Sequence, residues 1–194
     1  MKALEQKILT DGAVYPGNII KVSNFLNHQL DADFLMEIGK EIARLFQDTP
    51  VTKIVTIEAS GIAIALAAAA QMHLPAVFAK KHQSTNIAGD VYTSMVYSYT
   101  HQNQYMAVIA KEFIKETDKV LIVDDFLARG NALRGLIDIV GQAGAEVVGI
   151  SAVIEKGFQG GGDKLREEGY RVESLAVIDS MTDDSITFRD KTLV

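Results

Sequence analysis

Within thirteen residues, Val120 to Ala132, the chain passes from an apolar run to two carboxylates, a glycine and the start of a periodic apolar pattern. Val120, Leu121, Ile122 and Val123 suit a strand buried on both faces, as in a parallel sheet. Asp124 and Asp125 arrive where that strand should emerge, and in an open α/β sheet the crevice beyond the strand ends is where ligands bind. Gly130 then turns the chain into Leu133, Leu136, Ile137 and Val140, whose spacing predicts a helix. The unpaired N–H groups and partial positive charge at such a helix start suit a phosphate. The carboxylates suit the opposite chemistry, sugar hydroxyls or a divalent metal. A ligand with a phosphate at one end and ribose hydroxyls beside it satisfies both halves.

The same logic appears earlier in the chain. Lys53 to Ile57 reads as a buried strand, followed by Glu58, Ala59, Ser60 and Gly61 and a helix through about Met72. A small residue at Gly61 would free backbone N–H groups for an anion, although an ordinary turn with a solvated Glu58 gives the same pattern. Before it, Asp31 or Asp33 caps a helix whose stripe is Phe34, Ile38, Ile42, Leu45 and Phe46. After it, a strand from Ala76 to Ala79 runs into Lys80, Lys81 and His82. Val91–Tyr99 and Tyr105–Ala110 predict an antiparallel hairpin joined by the polar turn His101–Gln104, a flexible arm by composition. Further strands are expected over Glu146–Ile154, Arg171–Ile178 and the edge Ser185–Phe188, with a short helix over Asp163–Glu168. The glycines from Gly157 to Gly162 invite a P-loop reading, but Asp163 stands where the lysine must be, so a hinge loop is expected.

The leading segment does not join this alternation. Leu4 and Ile8 lie one helical turn apart, then Gly12, Pro16 and Gly17 break regularity before the extended run Asn18–Val22. A cap folded over the core is expected.

The net charge of −6 argues against a general nucleic-acid surface, and it obliges the chain to gather cations locally for any anion. Lys80, Lys81, Arg129 and Lys156 are the residues placed to do so. There is no cysteine, and the four histidines, His28, His73, His82 and His101, are too far apart to form a zinc pair. The longest apolar run, Gly61–Ala70, is too short to span a bilayer, so the expectation is a single soluble cytoplasmic domain over 1–194.

Val120–Ala132 resembles the 5-phospho-α-D-ribose 1-diphosphate (PRPP) signature of the type I phosphoribosyltransferases: hydrophobic strand, two acids, three spacers and a small phosphate loop. The Leu127-Ala128-x-Gly130-x-Ala132 form is similar to the bacterial xanthine phosphoribosyltransferase branch, and the resemblance extends from Met1 to about Phe188. Many members carry Thr where this chain has Arg129 and Ala132, which leaves more of the phosphate binding to backbone N–H groups or to Arg129 itself.

The resemblance implies an α/β type I phosphoribosyltransferase fold: a central, mainly parallel sheet flanked by helices, an N-terminal hood (1–30) over the base site and a β-hairpin arm (80–110). It implies transfer of the phosphoribosyl group from PRPP to xanthine, with Mg²⁺ as cofactor and a homodimer as the assembly. Asp124, Asp125 and Lys81 become the catalytic set, and Ala128, Arg129, Gly130, Asn131 and Ala132 the PRPP loop. Glu58, Ala59, Ser60, Gly61, Lys80, Lys81 and His82 would face the diphosphate, and Ile20, Asn27 and Lys156 the base. Two alternatives stay open: a PRPP-sensing transcription regulator, and a transferase for guanine, hypoxanthine or adenine. A regulator would carry a DNA-binding module ahead of the fold, whereas only about thirty residues, not basic, precede the first long helix.

Overall fold

The computed structural model describes residues 1–81, 89–98 and 103–189. Helix α1 (Lys2–Asp11) leads into a two-stranded ribbon of β1 (Ala13–Tyr15) and β2 (Ile19–Lys21), then a helical turn over Ser23–Asn27. The ribbon's turn holds Gly17 at φ 84° and Asn18 at φ 62°, the left-handed region that glycine and asparagine enter most readily. Sequence pattern did not reveal β1, because three residues are too few to establish a period. Helix α2 (Ala32–Leu45) is capped by Asp31, whose carboxylate accepts the Phe34 N–H at 3.1 Å.

There follow β3 (Lys53–Ile57), α3 (Ser60–Met72), β4 (Ala76–Ala79), and the hairpin β5 (Val91–Ser98) and β6 (Asn103–Ala110). Then come β7 (Lys119–Leu127), α4 (Asn131–Gln142), β8 (Glu146–Lys156), α5 (Gly161–Glu167), β9 (Val172–Met181) and β10 (Ile186–Phe188). Six of these strands form one sheet in the order β10-β9-β8-β7-β3-β4, parallel except at the β10 edge.

Both faces of the sheet are covered, which is why its central strands read as unbroken apolar runs. Alternate residues of β7 enter opposite cores: Leu121 and Val123 pack with α2 and α3, whereas Val120 and Ile122 pack with α4 and the hairpin. The alanine-rich run of α3 is a close helix contact. A Cβ on Gly39 of α2 would stand 2.5 Å from the Ala67 carbonyl, so only glycine allows this approach. Among the described residues no helix is long and apolar enough to cross a membrane.

Three expectations need correction. The strand does not end at the carboxylates: β7 stays paired to β8 through Asp124↔Ala152 and Leu127↔Glu155, because β8 runs eleven residues and supplies partners that far. On its other side, β7 pairs with β3 only as far as Val55↔Ile122, so the crevice opens between β3 and β7. Asn103 and Gln104 belong to β6 rather than to the expected turn, and His101 and Gln102, with Tyr99 and Thr100 before them, lie outside the described residues. The glycine cluster is a packing point instead of a hinge, since Gly161 and Gly162 are buried against the main chain of Ala128–Arg129 and the Glu155 carboxylate.

Candidate active site

A cavity of about 750 Å³ opens where β3 and β7 diverge, and it is lined by residues from the N-terminal ribbon, both βα loops, the hairpin and the end of β8. α3 and α4 leave these two strands toward opposite faces of the sheet, as their membership of separate cores shows. This is the topological switch point at which open α/β sheets bind ligands.

Asp124 and Asp125 stand on its floor, 5% and 8% exposed. Asp124 accepts the Asp125 N–H at 3.0 Å. Burial, reinforced by the charge on Asp125, pushes the Asp124 carboxyl well above the usual carboxylate range. Asp125 is held at both oxygens: Oδ1 accepts the Phe126 N–H at 3.0 Å, and Oδ2 accepts Nδ2 of Asn27 at 3.1 Å, across 98 residues of chain. The expected base reader thus has one amide hydrogen committed to a carboxylate, leaving its other donor and its carbonyl for a ligand.

Ala128, Arg129, Gly130, Asn131 and Ala132 all line the cavity. Gly130 takes φ 83° as the residue before α4, a conformation that disfavours side chains. The first helical bond of α4 runs from the Arg134 N–H to the Gly130 carbonyl at 2.9 Å, so the N–H groups just ahead lie outside the helix's own ladder. Nδ2 of Asn131 donates to the Tyr97 carbonyl at 3.0 Å, which fastens the hairpin to this loop.

Of the expected diphosphate group, Glu58, Ser60 and Lys81 line the cavity. The Glu58–Ala59 peptide is cis, and Glu58 is not simply solvated: its Oε1 accepts the Lys81 N–H at 2.6 Å. Ala59 is exposed and Gly61 is buried beneath the loop, neither among the lining residues. A Cβ on Gly61 would lie 2.1 Å from Thr56 Oγ1 and 3.1 Å from Asp124 Oδ1, so close packing on β3 and β7, rather than release of an N–H, demands the glycine. Lys80 bonds by its main chain to Val108 and does not reach the cavity wall, while His82 lies outside the described residues.

At the other end, Ile20 and Asn27 line the wall together with Asn18 and Ile19. Nζ of Lys156 donates to the Asn18 carbonyl at 2.8 Å and stands 5.8 Å from the centre of the Phe126 ring. Burial lowers its pKa below the ordinary lysine value. Phe126, Tyr97, Tyr105 and Gln159 line the cavity without having been singled out from sequence. Phe126 could have been, since an aromatic directly after the acid pair stays within reach of whatever those acids hold. Tyr105 stands under Lys81, whose Nζ is 5.2 Å from its ring centre, and burial followed by the Asp124 charge pushes its hydroxyl up to about 12.

Among the described residues no group of three or more His, Asp or Glu is arranged to hold a metal. The Asp124–Asp125 pair nevertheless offers hard oxygen donors, which fits a small divalent cation that keeps most of its ligands as substrate oxygens and water.

Comparison with known proteins gives a consistent picture. Residues 21–181 match the phosphoribosyl transferase domain family. The xanthine phosphoribosyltransferase of Lachnoclostridium phytofermentans is 52% identical over 191 residues, 97% of this chain and 98% of that protein. Xanthine phosphoribosyltransferase 1 of Clostridium perfringens is 53% identical over 190 residues, 97% of this chain and 100% of that protein. Among solved structures, adenine phosphoribosyltransferase from Leishmania tarentolae superposes with a TM-score of 0.74 at 22% identity, covering 93% of this chain and 89% of that one.

Proposed function

Because the chain belongs to the phosphoribosyltransferase family, we propose that it converts xanthine and PRPP to xanthosine 5'-monophosphate and diphosphate, a purine salvage reaction. The observation that carries this reading is the order of groups along one cavity: a helix-start loop, a buried carboxylate pair, and an end lined by Ile20 and Asn27 of the N-terminal segment and Lys156 of β8.

A purine ring nitrogen attacks C1 of the ribose, diphosphate departs, and the configuration at C1 inverts. Such a centre passes through an oxocarbenium-like state. Asp124 and Asp125 face the ribose hydroxyls, and a developing positive charge on the sugar relieves the unfavourable burial of Asp124. The Ala128–Ala132 loop holds the 5'-phosphate by its main chain. A helix start is worth up to ~2 kcal/mol when partly buried. Catalysis typically requires ~8 kcal/mol or more, so these N–H groups position the substrate but do not suffice. Asp124 and Asp125 would hold Mg²⁺ mainly through its bound water when it accompanies PRPP, and the ion would supply positive charge against the departing diphosphate. Lys81 adds a cation at that end, Lys156 faces an exocyclic oxygen of the base, and Ile20 packs on its ring. Asn27 spans base and sugar, since the residue that reads the purine also holds Asp125.

We take residues 1–194 as one domain in which 1–30 form the hood and 80–110 the arm. The working form is a cytoplasmic homodimer; exposed Leu66 on α3 and Phe78 on β4 support a covered face there. Mixing the purified protein with Mg²⁺, PRPP and xanthine, hypoxanthine, guanine or adenine and measuring diphosphate tests the assignment. Fastest release with xanthine is expected. No release with any base, or a preference for another base, overturns it.

A further inference from the structure

Beyond the cavity wall lies a buried polar cluster that the reaction above does not use. Glu155, one residue before Lys156, is fully buried in β8. Its carboxylate receives both arms of Arg166 from α5, Nη1 to Oε1 at 3.0 Å and Nη2 to Oε2 at 2.7 Å, and also the hydroxyl of Ser174 from β9. The fork fixes the orientation of α5 as well as its distance, because both N–H bonds must be made together. Arg166 is held in turn by the Val172 carbonyl and by Asp163.

What this clamp presses against is the phosphate loop. The Gly161 N–H donates to the Ala128 carbonyl at 3.2 Å. A Cβ on Gly161 would fall 2.3 Å from that same oxygen and 2.5 Å from the Arg129 carbonyl carbon, both main-chain atoms that cannot rotate away. Leu165, also fully buried, lies beneath Gly130, with Cδ1 3.6 Å from where a Gly130 Cβ would be. The start of α5 is therefore in direct contact with the backbone whose N–H groups are assigned to the 5'-phosphate.

We propose that α5 is the seat of the phosphate loop, with Gly161 setting the loop's height and the Arg166–Glu155 fork holding α5 in place. Gly161 and Arg166 are positioning residues for PRPP, acting through the Ala128–Ala132 main chain. The inference rests on the assignment of that loop to the phosphate. It also explains why the glycine cluster lacks the lysine of a P-loop: these glycines support an anion site from behind instead of forming one.

Gly161→Ala is the test. Its φ is not in the positive region, and alanine is the better helix former, so the change carries no backbone penalty of its own. The loop must instead retreat by about 1 Å for 2.3 Å to become ordinary contact, and a misplacement of that size commonly lowers efficiency by about a hundredfold. Ribose 5-phosphate, which needs the phosphate loop but neither base nor diphosphate site, should bind at least about tenfold more weakly to Gly161→Ala by calorimetry. Diphosphate affinity and the KM for xanthine at saturating PRPP should stay within about twofold, a split that general loss of structure would not produce. Arg166→Lys, which keeps the charge but not the fork, should move ribose 5-phosphate in the same direction. Unchanged ribose 5-phosphate affinity in either folded variant overturns the proposal, as does loss of all three affinities together. Failure of the wild type to release diphosphate with any base would instead sink the functional reading.

Discussion

Replacing Arg166 with Met isolates the energetic side of the α5 clamp. Glu155 is 0% exposed and its two oxygens are satisfied by Arg166 and Ser174, so the substitution leaves a buried carboxylate with a single hydroxyl partner. Breaking a buried ion pair from one side typically costs about 3–5 kcal/mol, because the remaining charge is uncompensated. Arg166 keeps 34% of its side chain exposed, so water can reach the vacated position, and the lower bound of about 3 kcal/mol is the appropriate figure. For a chain of 194 residues that corresponds to a fall in Tm of roughly 6–12 °C, measured by scanning calorimetry at neutral pH. Adding Glu155→Gln to Arg166→Met removes the stranded charge while keeping a group for Ser174 to bond, and should restore at least about half of the loss. A Tm for Arg166→Met within about 2 °C of wild type would refute the reasoning, since it would mean that Glu155 never depended on the guanidinium.

Three further outcomes are expected. Asp125→Asn should lower turnover at least about tenfold with folding intact, because the carboxylate proposed to face the ribose loses its charge; wild-type rates would remove it from the proposed catalytic set. Asn27→Ala should lower the xanthine-to-hypoxanthine ratio of kcat/KM by about tenfold, beyond any loss common to both bases from the missing contact to Asp125; an unchanged ratio rules out base reading. Asp124 has a folded-state pKa raised by burial, so the native state loses stability as pH rises from the ordinary carboxylate range toward that raised value. Asp124→Asn should therefore gain Tm over wild type, and by more at pH 8 than at pH 4, while losing activity; a gain that shrinks as pH rises would contradict the burial argument.

Much of the scaffold was legible because its strands are buried on both faces. Val120–Val123 and Lys53–Ile57 announce themselves as apolar runs, and β3 has the bounds its pattern predicts. The acid pair was visible, but its setting was not. Pattern alone ends the strand at Val123, whereas pairing with an eleven-residue β8 carries it through Leu127. Strand ends are set by the partner's length, which is a tertiary property. The same holds for Gly61 and Gly161: a glycine in sequence suggests conformational freedom, and only the neighbours at 2.1–2.5 Å reveal that both serve close approach. Lys80 and Lys81 are indistinguishable as adjacent cations, yet the main-chain bridge to Val108 holds Lys80 away from the cavity wall and leaves Lys81 on it. Period-two alternation beyond β4 would have separated them.

The proposed chemistry depends on holding two carboxyl groups side by side in a buried place without letting them relax apart. For an acidic chain proposed to bind a polyanion, carboxylates far from the ligand would be the ordinary arrangement, yet here two of them stand on the cavity floor, within a few residues of the proposed phosphate loop. Their separation from the proposed phosphate loop is set by covalent order and by β7, which pairs with β8 at Asp124 and again at Phe126 and Leu127, so that its backbone is held on either side of Asp125. The two oxygens of Asp125 are tied to Phe126 and Asn27, leaving little freedom to swing away from a sugar. Because Asn27 belongs to the N-terminal segment, its contact makes the geometry of the sugar acid depend on how that segment lies. A base that draws the segment inward would thereby tighten the grip on the ribose, so affinity for one substrate should rise with occupancy by the other. Titrating PRPP without and with a xanthine analogue that cannot react would read that coupling directly, and independent binding would show that the Asn27–Asp125 contact does not transmit it.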